Sequence, residues 1–122
     1  LKRGNPKYNY ALNPCQFRYG NYVGHGWSDG KEQSSVSKPN VLPVDHLDQQ
    51  GMIHDMDTAN AKTTLDLAHA DLKFAYNTIG SSMIGTAAGI GVGAQGLSRI
   101  VTGLMDAGYS YARAVAYENA IL

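Results

Sequence analysis

The chain has 122 residues, 43% of them hydrophobic and 16% charged, and its formal net charge is zero. This length suits one globular domain with a modest core, and the charged fraction leaves little surface charge. The only cysteine, Cys15, excludes an intramolecular disulfide and favours a reducing or enclosed setting. Because the sequence starts at Leu1, with no methionine or signal peptide before it, we expect a processed product or part of a larger polypeptide.

The charges are distributed unevenly along the chain. Residues 1–20 carry four basic side chains and no acid, whereas residues 41–71 carry six aspartates against Lys62 alone. The six are Asp45, Asp48, Asp55, Asp57, Asp66 and Asp71. A basic end and an acidic middle favour anionic partners at one place and a bound cation at another.

The first forty residues predict loops. Residues 1–21 mix glycines and prolines with aromatic residues, a pattern typical of irregular structure anchored by rings. The stretch YVGHG, residues 22–26, predicts a turn at its glycines, and residues 28–40 are polar, as surface loops commonly are.

Helices are predicted after residue 44. Asp45 suits the N-cap of a first helix that extends to about residue 61. The spacing of apolar residues predicts a second helix over 64–76, and Ser110 can cap a last helix that ends near Ile121. Asp71 falls on the apolar face of the second helix, where a carboxylate is costly unless it has a partner.

A glycine-rich, uncharged run covers residues 74–98. Gly85, Gly89 and Gly93 are spaced four apart, the small-xxx-small pattern that lets helices approach closely. Two interpretations remain open at this point. The run is either a closely packed helix pair or flexible connector, or a segment that inserts into a membrane, although its small side chains are weakly hydrophobic for a span of about 20 residues.

The adjacent pair His54–Asp55 carries the chemistry. Neighbouring helix positions point about 100° apart, so the two side chains can serve two neighbouring points, a proton to be moved and a cation. Histidine is the usual general base near neutral pH, and calcium prefers carboxylate and carbonyl oxygens, which the glycine turn at 22–26 could supply. Asp71 could then hold the imidazole in the required tautomer. The alternatives are a solvated helix pair, and a histidine-based transition-metal site, which the excess of acids disfavours.

Three motifs in order, YVGHG, PVDHLDQQGMIHD and HADLKF, resemble the phospholipase A2 superfamily over about residues 22–76. The first is similar to the family's calcium loop, and the second resembles the active-site helix of the secreted enzymes. The short path to HADLKF and the lack of disulfides resemble the phospholipase domain of parvovirus-type minor capsid proteins.

The resemblance implies a role for each matching residue. His54 would be the base that takes a proton from water, and Asp71 would pair with it. Asp55 and the backbone carbonyls of Tyr22, Gly24 and Gly26 would bind Ca²⁺, and the Gly24 N–H would stabilise the oxyanion. The list of expected site residues is therefore Tyr22, Gly24, Gly26, His54, Asp55 and Asp71.

The chain departs from the family pattern at three points. The tyrosine that helps to hold the catalytic aspartate is Thr58 here, and the flanking cysteines are replaced. Gly51 lies inside the predicted helix, where glycine costs about 1 kcal/mol relative to alanine. The segment between the loop and the helix is longer than in the secreted enzymes.

These observations lead to one set of expectations. The fold is mainly α, phospholipase A2-like, with two antiparallel core helices, a calcium loop and no disulfides. Residues 1–78 form the phospholipase A2-like domain, and residues 79–122 form a glycine-rich segment with a C-terminal helix.

The expected function is calcium-dependent hydrolysis of the sn-2 ester of glycerophospholipids, used by a virus to breach host endosomal or other membranes. The protein would belong to the virion, with the phospholipid surface and other capsid proteins as partners and no nucleic acid. The alternative is a catalytically weak or inactive capsid or membrane-interaction protein that acts through its glycine-rich segment.

Overall fold

The computed structural model describes residues 2–3 and 17–121, so most of the predicted aromatic-anchored segment, with Cys15, lies outside the described residues. Four helices dominate: α1 His46–Asn60, α2 Thr64–Thr78, α3 Met83–Asp106 and α4 Tyr111–Ile121. Four strands of two residues form two pairs. Strand β1, Lys2–Arg3, pairs in parallel with β4, Val41–Leu42, and β2, Trp27–Ser28, pairs antiparallel with β3, Lys31–Glu32. The mainly helical prediction is confirmed.

The chain divides into two compact units, Leu1–Asn60 and Ala61–Leu122. The division falls inside the segment that the sequence predicts as a single phospholipase A2-like domain, residues 1–78. The predicted boundary after residue 78 stays a prediction, as does the phospholipase A2-like form of the fold.

In the first unit, α1 lies against the loops that precede it. The helix begins where predicted, since the Asp45 carboxylate accepts the backbone N–H of Asp48 at 3.0 Å. Its buried face carries Leu47, Asp48, Gly51 and Asp55. The loops contribute buried Tyr22, Val23 and Trp27 to this core.

Trp27 contacts two residues of the segment that precedes the glycine turn. Its indole N–H donates to the Gly20 carbonyl at 3.0 Å. The Arg18 guanidinium lies 4.4 Å from the ring centroid and also pairs with Glu32. An arginine over an aromatic face is favourable because of the ring quadrupole, so Trp27 stabilises this segment through both Gly20 and Arg18.

In the second unit, α2 and α3 form an antiparallel pair. Helix α2 begins with a capping box between Thr63 and Asp66. Helix α3 contains residues 83–98 of the glycine-rich run, and its glycines at 89, 93, 96 and 103 meet α2 at close range. A Cβ atom on Gly89 would lie 2.4 Å from Thr78 Oγ1, and one on Gly93 would lie 3.0 Å from Ala75 Cβ. The small-residue spacing therefore serves helix packing in this unit.

The glycine-rich run was the least predictable element. A 24-residue helix with so many glycines contradicts intrinsic propensity, and tertiary packing against α2 supplies the compensating contacts. Over residues 2–3 and 17–121, no helix is both long and apolar enough to cross a bilayer. Helix α4 follows the predicted cap, since the Ser110 hydroxyl accepts the Arg113 backbone N–H at 3.3 Å.

Two glycines of α3 give a matched test of the packing. In Gly96→Ala, the new Cβ would lie 2.8 Å from Asp71 Cβ, so we expect the free energy of unfolding to fall by about 1–3 kcal/mol. In Gly91→Ala, nothing lies within 4 Å of the new Cβ, so the better helix propensity of alanine should raise the free energy of unfolding by up to about 1 kcal/mol. Urea denaturation followed by circular dichroism measures both. Equal effects of the two substitutions would contradict this packing.

Candidate functional site

The predicted calcium loop is a closed turn. Tyr19 and Val23 exchange two backbone hydrogen bonds of 2.8 and 3.1 Å, which close the chain just before the glycines. Gly24 has φ +137°, and a Cβ there would lie 2.4 Å from the Phe17 carbonyl oxygen. Gly26 has φ +67°, in the left-handed region that favours glycine. The Gly-x-Gly pattern is therefore required by the backbone of this turn.

The Asp48 carboxylate fixes the loop to α1. It is fully buried and accepts the backbone N–H of Asn21 at 3.0 Å, of Tyr22 at 2.9 Å and of Val44 at 2.9 Å. Burial raises the pKa of Asp48 above its ordinary value, and the three N–H donors offset part of that effect. Asp48 thus joins the start of the predicted calcium loop to the first turn of the helix.

Two glycines allow close contact between the loop and the helix beside the Asp48 carboxylate, whose hydrogen bonds to the loop are called the Asp48 clasp below. A Cβ on Gly51 would lie 2.6 Å from Val23 Cγ2 and 3.3 Å from the carbonyl carbon of Tyr22. A Cβ on Gly20, at φ +57°, would lie 2.3 Å from the Asp48 carboxyl carbon. Gly51, which lowers the helix propensity of α1, is therefore the position at which the loop packs against the helix. The longer segment between the loop and the helix does not prevent this contact.

Hydrogen bonds fix the Tyr22 side chain as well as its backbone. Its hydroxyl donates to Asp29 Oδ1 at 3.1 Å and to the Val41 carbonyl oxygen. Burial and the Asp29 carboxylate together raise the pKa of Tyr22 above its ordinary value. Burial also raises the pKa of Asp29, but hydrogen bonds from Asn40, Val41 and Tyr22 outweigh it and leave the pKa lowered.

Asp55 lies one helical turn after Gly51, on the same buried face of α1. Its residue is 5% exposed, and Oδ1 accepts from the Ser35 hydroxyl at 3.4 Å. Ser28, two residues after the loop, also hydrogen bonds to this carboxylate. Burial raises the pKa of Asp55, which these hydrogen bonds and His54 lower only in part. Oδ2 is buried and has no hydrogen-bond partner among the described residues.

A buried carboxylate oxygen without a partner is costly, and a bound cation would remove that cost. The Gly24 and Gly26 carbonyls each accept one backbone N–H, from Trp27 at 3.3 Å and Gln33 at 2.9 Å. Since a carbonyl oxygen has two lone pairs, each of these hydrogen bonds uses only part of its acceptor capacity. In the described part of the chain no three histidine, cysteine or acidic side chains form a metal cluster.

His54 is partly buried beside this carboxylate. Its side chain is 18% exposed, and Nδ1 lies 3.8 Å from Asp55 Oδ1. The ring nitrogen that lies beside Asp55 is thus Nδ1. His25 and His69, which the sequence gives no role, are exposed.

Asp71, in the second unit, is buried and forms an ion pair with an arginine. Its side chain is 0% exposed, and Oδ2 accepts from Arg99 Nη1 on α3 at 2.8 Å. The predicted pairing of Asp71 with His54 stays a prediction. Thr58, which stands where the family has tyrosine, has a buried hydroxyl oxygen without a hydrogen-bond partner in the described residues.

Several functional contacts were not predicted from the sequence. These are the loop clasp by Asp48, the tyrosine support by Asp29, the two serines at Asp55 and the arginine at Asp71. Gly20 and Gly51 were the available signal for the clasp, since a glycine inside a helix often marks close backbone approach. Arg99 is the first charge after Lys73, but its distance of 28 positions from Asp71 gave no signal.

Comparisons of this chain with protein-family models, with curated proteins and with solved structures found no match.

The clasp can be tested by substitution of Asp48. In Asp48→Ala the buried N–H groups of Asn21 and Tyr22 lose their acceptor, so the free energy of unfolding should fall by about 2–4 kcal/mol. Gln49→Ala, an exposed neighbour on the same helix, should change it by no more than about 0.5 kcal/mol. Thermal or urea denaturation measures both. A loss in Asp48→Ala no larger than in the control would show that the carboxylate does not hold the loop.

The raised pKa of Asp55 gives a prediction for the metal-free protein. A carboxyl whose folded pKa is raised loses stability as pH rises from the unfolded pKa through the folded one. Asp55→Asn removes this penalty, so its stability relative to wild type should increase as pH rises from about 4 to about 7. Denaturation in a chelating buffer measures the difference. A constant difference across this range would contradict the raised pKa.

Proposed function

We propose that the chain is a calcium-dependent phospholipase A2 that hydrolyses the sn-2 ester of glycerophospholipids. The observation that carries the proposal is the buried Asp55 Oδ2, which has no hydrogen-bond partner in the described residues, on a helix face onto which the glycine turn is clasped. Resemblance to the superfamily motifs agrees with it, since the turn, the helix and the adjacent histidine occur in the family's order.

Each residue has a role in the proposed reaction. Nδ1 of His54 faces the Asp55 side and would take a proton from the attacking water. Asp71 would accept the N–H of Nε2 and so hold the productive tautomer of the ring. The Gly24 backbone N–H would donate to the oxyanion that forms at the ester carbon.

Asp55 and the carbonyls of Tyr22, Gly24 and Gly26 would hold the calcium ion. When bound, calcium supplies positive charge close to the carbonyl oxygen on which negative charge develops. The Asp48 clasp acts before any chemistry, because it fixes the distance between the loop backbone and the helix that carries Asp55.

The biological setting we propose is a virion. The lack of disulfides and the short path between the two active-site helices resemble capsid phospholipase domains, so the enzyme would open host endosomal or other membranes when a virus enters a cell. Its partners would then be the phospholipid surface and other capsid proteins, with no nucleic acid.

A second candidate is a weak or inactive capsid or membrane-interaction protein that acts through its glycine-rich segment. One observation favours weak activity: Asp71 Oδ2 is bound by Arg99 inside the second unit. Against action through the glycine-rich run, Gly89 and Gly93 are used in packing against α2. The enzyme is therefore the better supported proposal.

The test is release of fatty acid from phosphatidylcholine vesicles labelled separately at the sn-1 and sn-2 positions. Wild type should release the sn-2 chain with calcium and stop when a chelator is added. His54→Gln should lower the rate by about 10²–10⁴-fold, because a general base contributes that much. His69→Gln changes an exposed histidine and should leave the rate unchanged.

Two results would overturn the proposal. Sn-2 release that continues in chelator would exclude the calcium site. Equal rates for the His54 and His69 variants would exclude the histidine as base, and a folded wild type with no release would favour the second candidate.

A further inference from the structure

The polar loop at residues 28–36 folds onto the Asp55 carboxylate. The sequence predicts a surface loop, yet Ser28 is 0% exposed in the structure. A buried hydroxyl is costly unless it forms hydrogen bonds, and those of Ser28 lead to Asp55 and to Val36. The loop therefore contacts the candidate calcium ligand through a residue that lies outside the three sequence motifs.

A tight turn fixes the position of Ser28. Asp29 and Gly30 join β2 to β3 and have φ +56° and +74°, both positive, as a type I′ turn requires. The Gly30 N–H donates to the Asn21 carbonyl at 2.9 Å, and the Asp29 carboxylate accepts the Val41 N–H at 3.0 Å. Ser28 therefore precedes a turn whose two central residues are both bound to other segments.

The Ser28 hydroxyl joins the loop to the helix. Its oxygen accepts the Val36 backbone N–H at 3.2 Å, so its own proton is available to donate. The Asp55 carboxylate is the acceptor of that proton. The Ser28 carbonyl also accepts from Gln33 Nε2 at 2.8 Å. Three hydrogen bonds of one residue thus fix the loop and the carboxylate together.

Ser35 contacts the same carboxylate from the other end of the loop. Its hydroxyl donates to Asp55 Oδ1 at 3.4 Å, which is long for a hydrogen bond between oxygens. Because Val36 is bound to Ser28, the adjacent Ser35 is held near Asp55 by the same fold of the loop. Oδ1 is therefore contacted from the loop, while the buried Oδ2 has no hydrogen-bond partner among the described residues.

Asp48 shows how a carboxylate with a purely structural role is satisfied in this unit. It lies on the same buried face of α1, and both of its oxygens accept backbone N–H groups. Asp55 instead receives serine hydroxyls and keeps one buried oxygen unsatisfied. A carboxylate that only tied the loop to the helix would have both oxygens satisfied. The serines therefore orient a group whose Oδ2 is left for a ligand.

We propose that Ser28 and Ser35 are positioning residues of Asp55: their hydroxyls fix the carboxylate so that Oδ2 is presented to the calcium ion. This inference rests on the calcium site of the proposed function. Both hydroxyls act through Asp55 and not on the ion or the lipid. Ser28 has the larger part, because it is fully buried and its bond to Val36 also holds Ser35 in place.

The test is a calorimetric titration of the full chain with calcium chloride, without lipid, on wild type and four variants. Ser28→Ala should raise the calcium dissociation constant by about 10–100-fold, the usual effect of removing a partner that orients a metal ligand. Ser35→Ala should raise it less, because its hydrogen bond is long. Ser35→Thr keeps the hydroxyl, and Ser34→Ala changes an exposed neighbour, so both should bind calcium as wild type does.

The dissociation constant and the stoichiometry separate positioning from a structural role. If Ser28 only stabilised the fold, Ser28→Ala would lower the number of ions bound per chain, and the chains that fold would keep the wild-type dissociation constant. A misplaced carboxylate raises the dissociation constant of every folded chain. In the vesicle assay, Ser28→Ala should need more calcium for the half-maximal rate and should approach the wild-type kcat at saturating calcium.

Calcium binding as tight as wild type in both Ser28→Ala and Ser35→Ala would overturn this inference alone, as would a lower stoichiometry at an unchanged dissociation constant. If Ser28→Ala does not fold, Ser35→Ala decides: a raised dissociation constant that Ser35→Thr restores supports the inference, and an unchanged one overturns it. A folded wild type that binds no calcium would overturn the proposed function and this inference together. Serine-dependent calcium binding without release of fatty acid would support this inference and overturn only the proposed function.

Discussion

The candidate site depends on how one helix is joined to one loop. A glycine turn has no rigid position of its own, so a cation site that uses its carbonyls needs an anchor. The fully buried Asp48 provides it by accepting the N–H groups of Asn21 and Tyr22, and Gly51 provides the room. Because Gly51 and Asp55 are one helical turn apart, the contact that docks the loop also determines which carboxylate lies beside it.

Local patterns predicted the helices, whereas contacts distant in sequence were not predictable. The caps at Asp45 and Ser110 depend on residues three positions away, so the sequence indicates them directly. The closely packed helix pair was one of two open interpretations of the glycine-rich run, and the bounds of α3 were not predicted, because its glycines oppose helix formation and are tolerated through packing against α2. In the site, adjacency and motif order indicated the importance of His54 and Asp55. The Arg99 pairing depends on the helix register, which the sequence does not contain.

Asp71 and Asp55 are both buried carboxylates, but different groups surround them. Asp71 is paired with the Arg99 guanidinium of its own unit. Asp55 has the Ser35 hydroxyl and the His54 imidazole near Oδ1, but its buried Oδ2 has no hydrogen-bond partner among the described residues, and burial raises the pKa of this carboxyl. A protein that needed only a stable helix would place an apolar residue there. The free-energy cost of burying the Asp55 carboxylate is explained if this group binds a cation from the loop side.

The most direct measurement of the central claim is a calorimetric calcium titration of wild type, Asp55→Asn and Asp57→Asn. We expect one calcium ion per chain in wild type and in Asp57→Asn, which changes a neighbouring acid outside the buried face of α1. Folded Asp55→Asn should not bind calcium. Binding that survives in Asp55→Asn, or no binding in folded wild type, would contradict this claim.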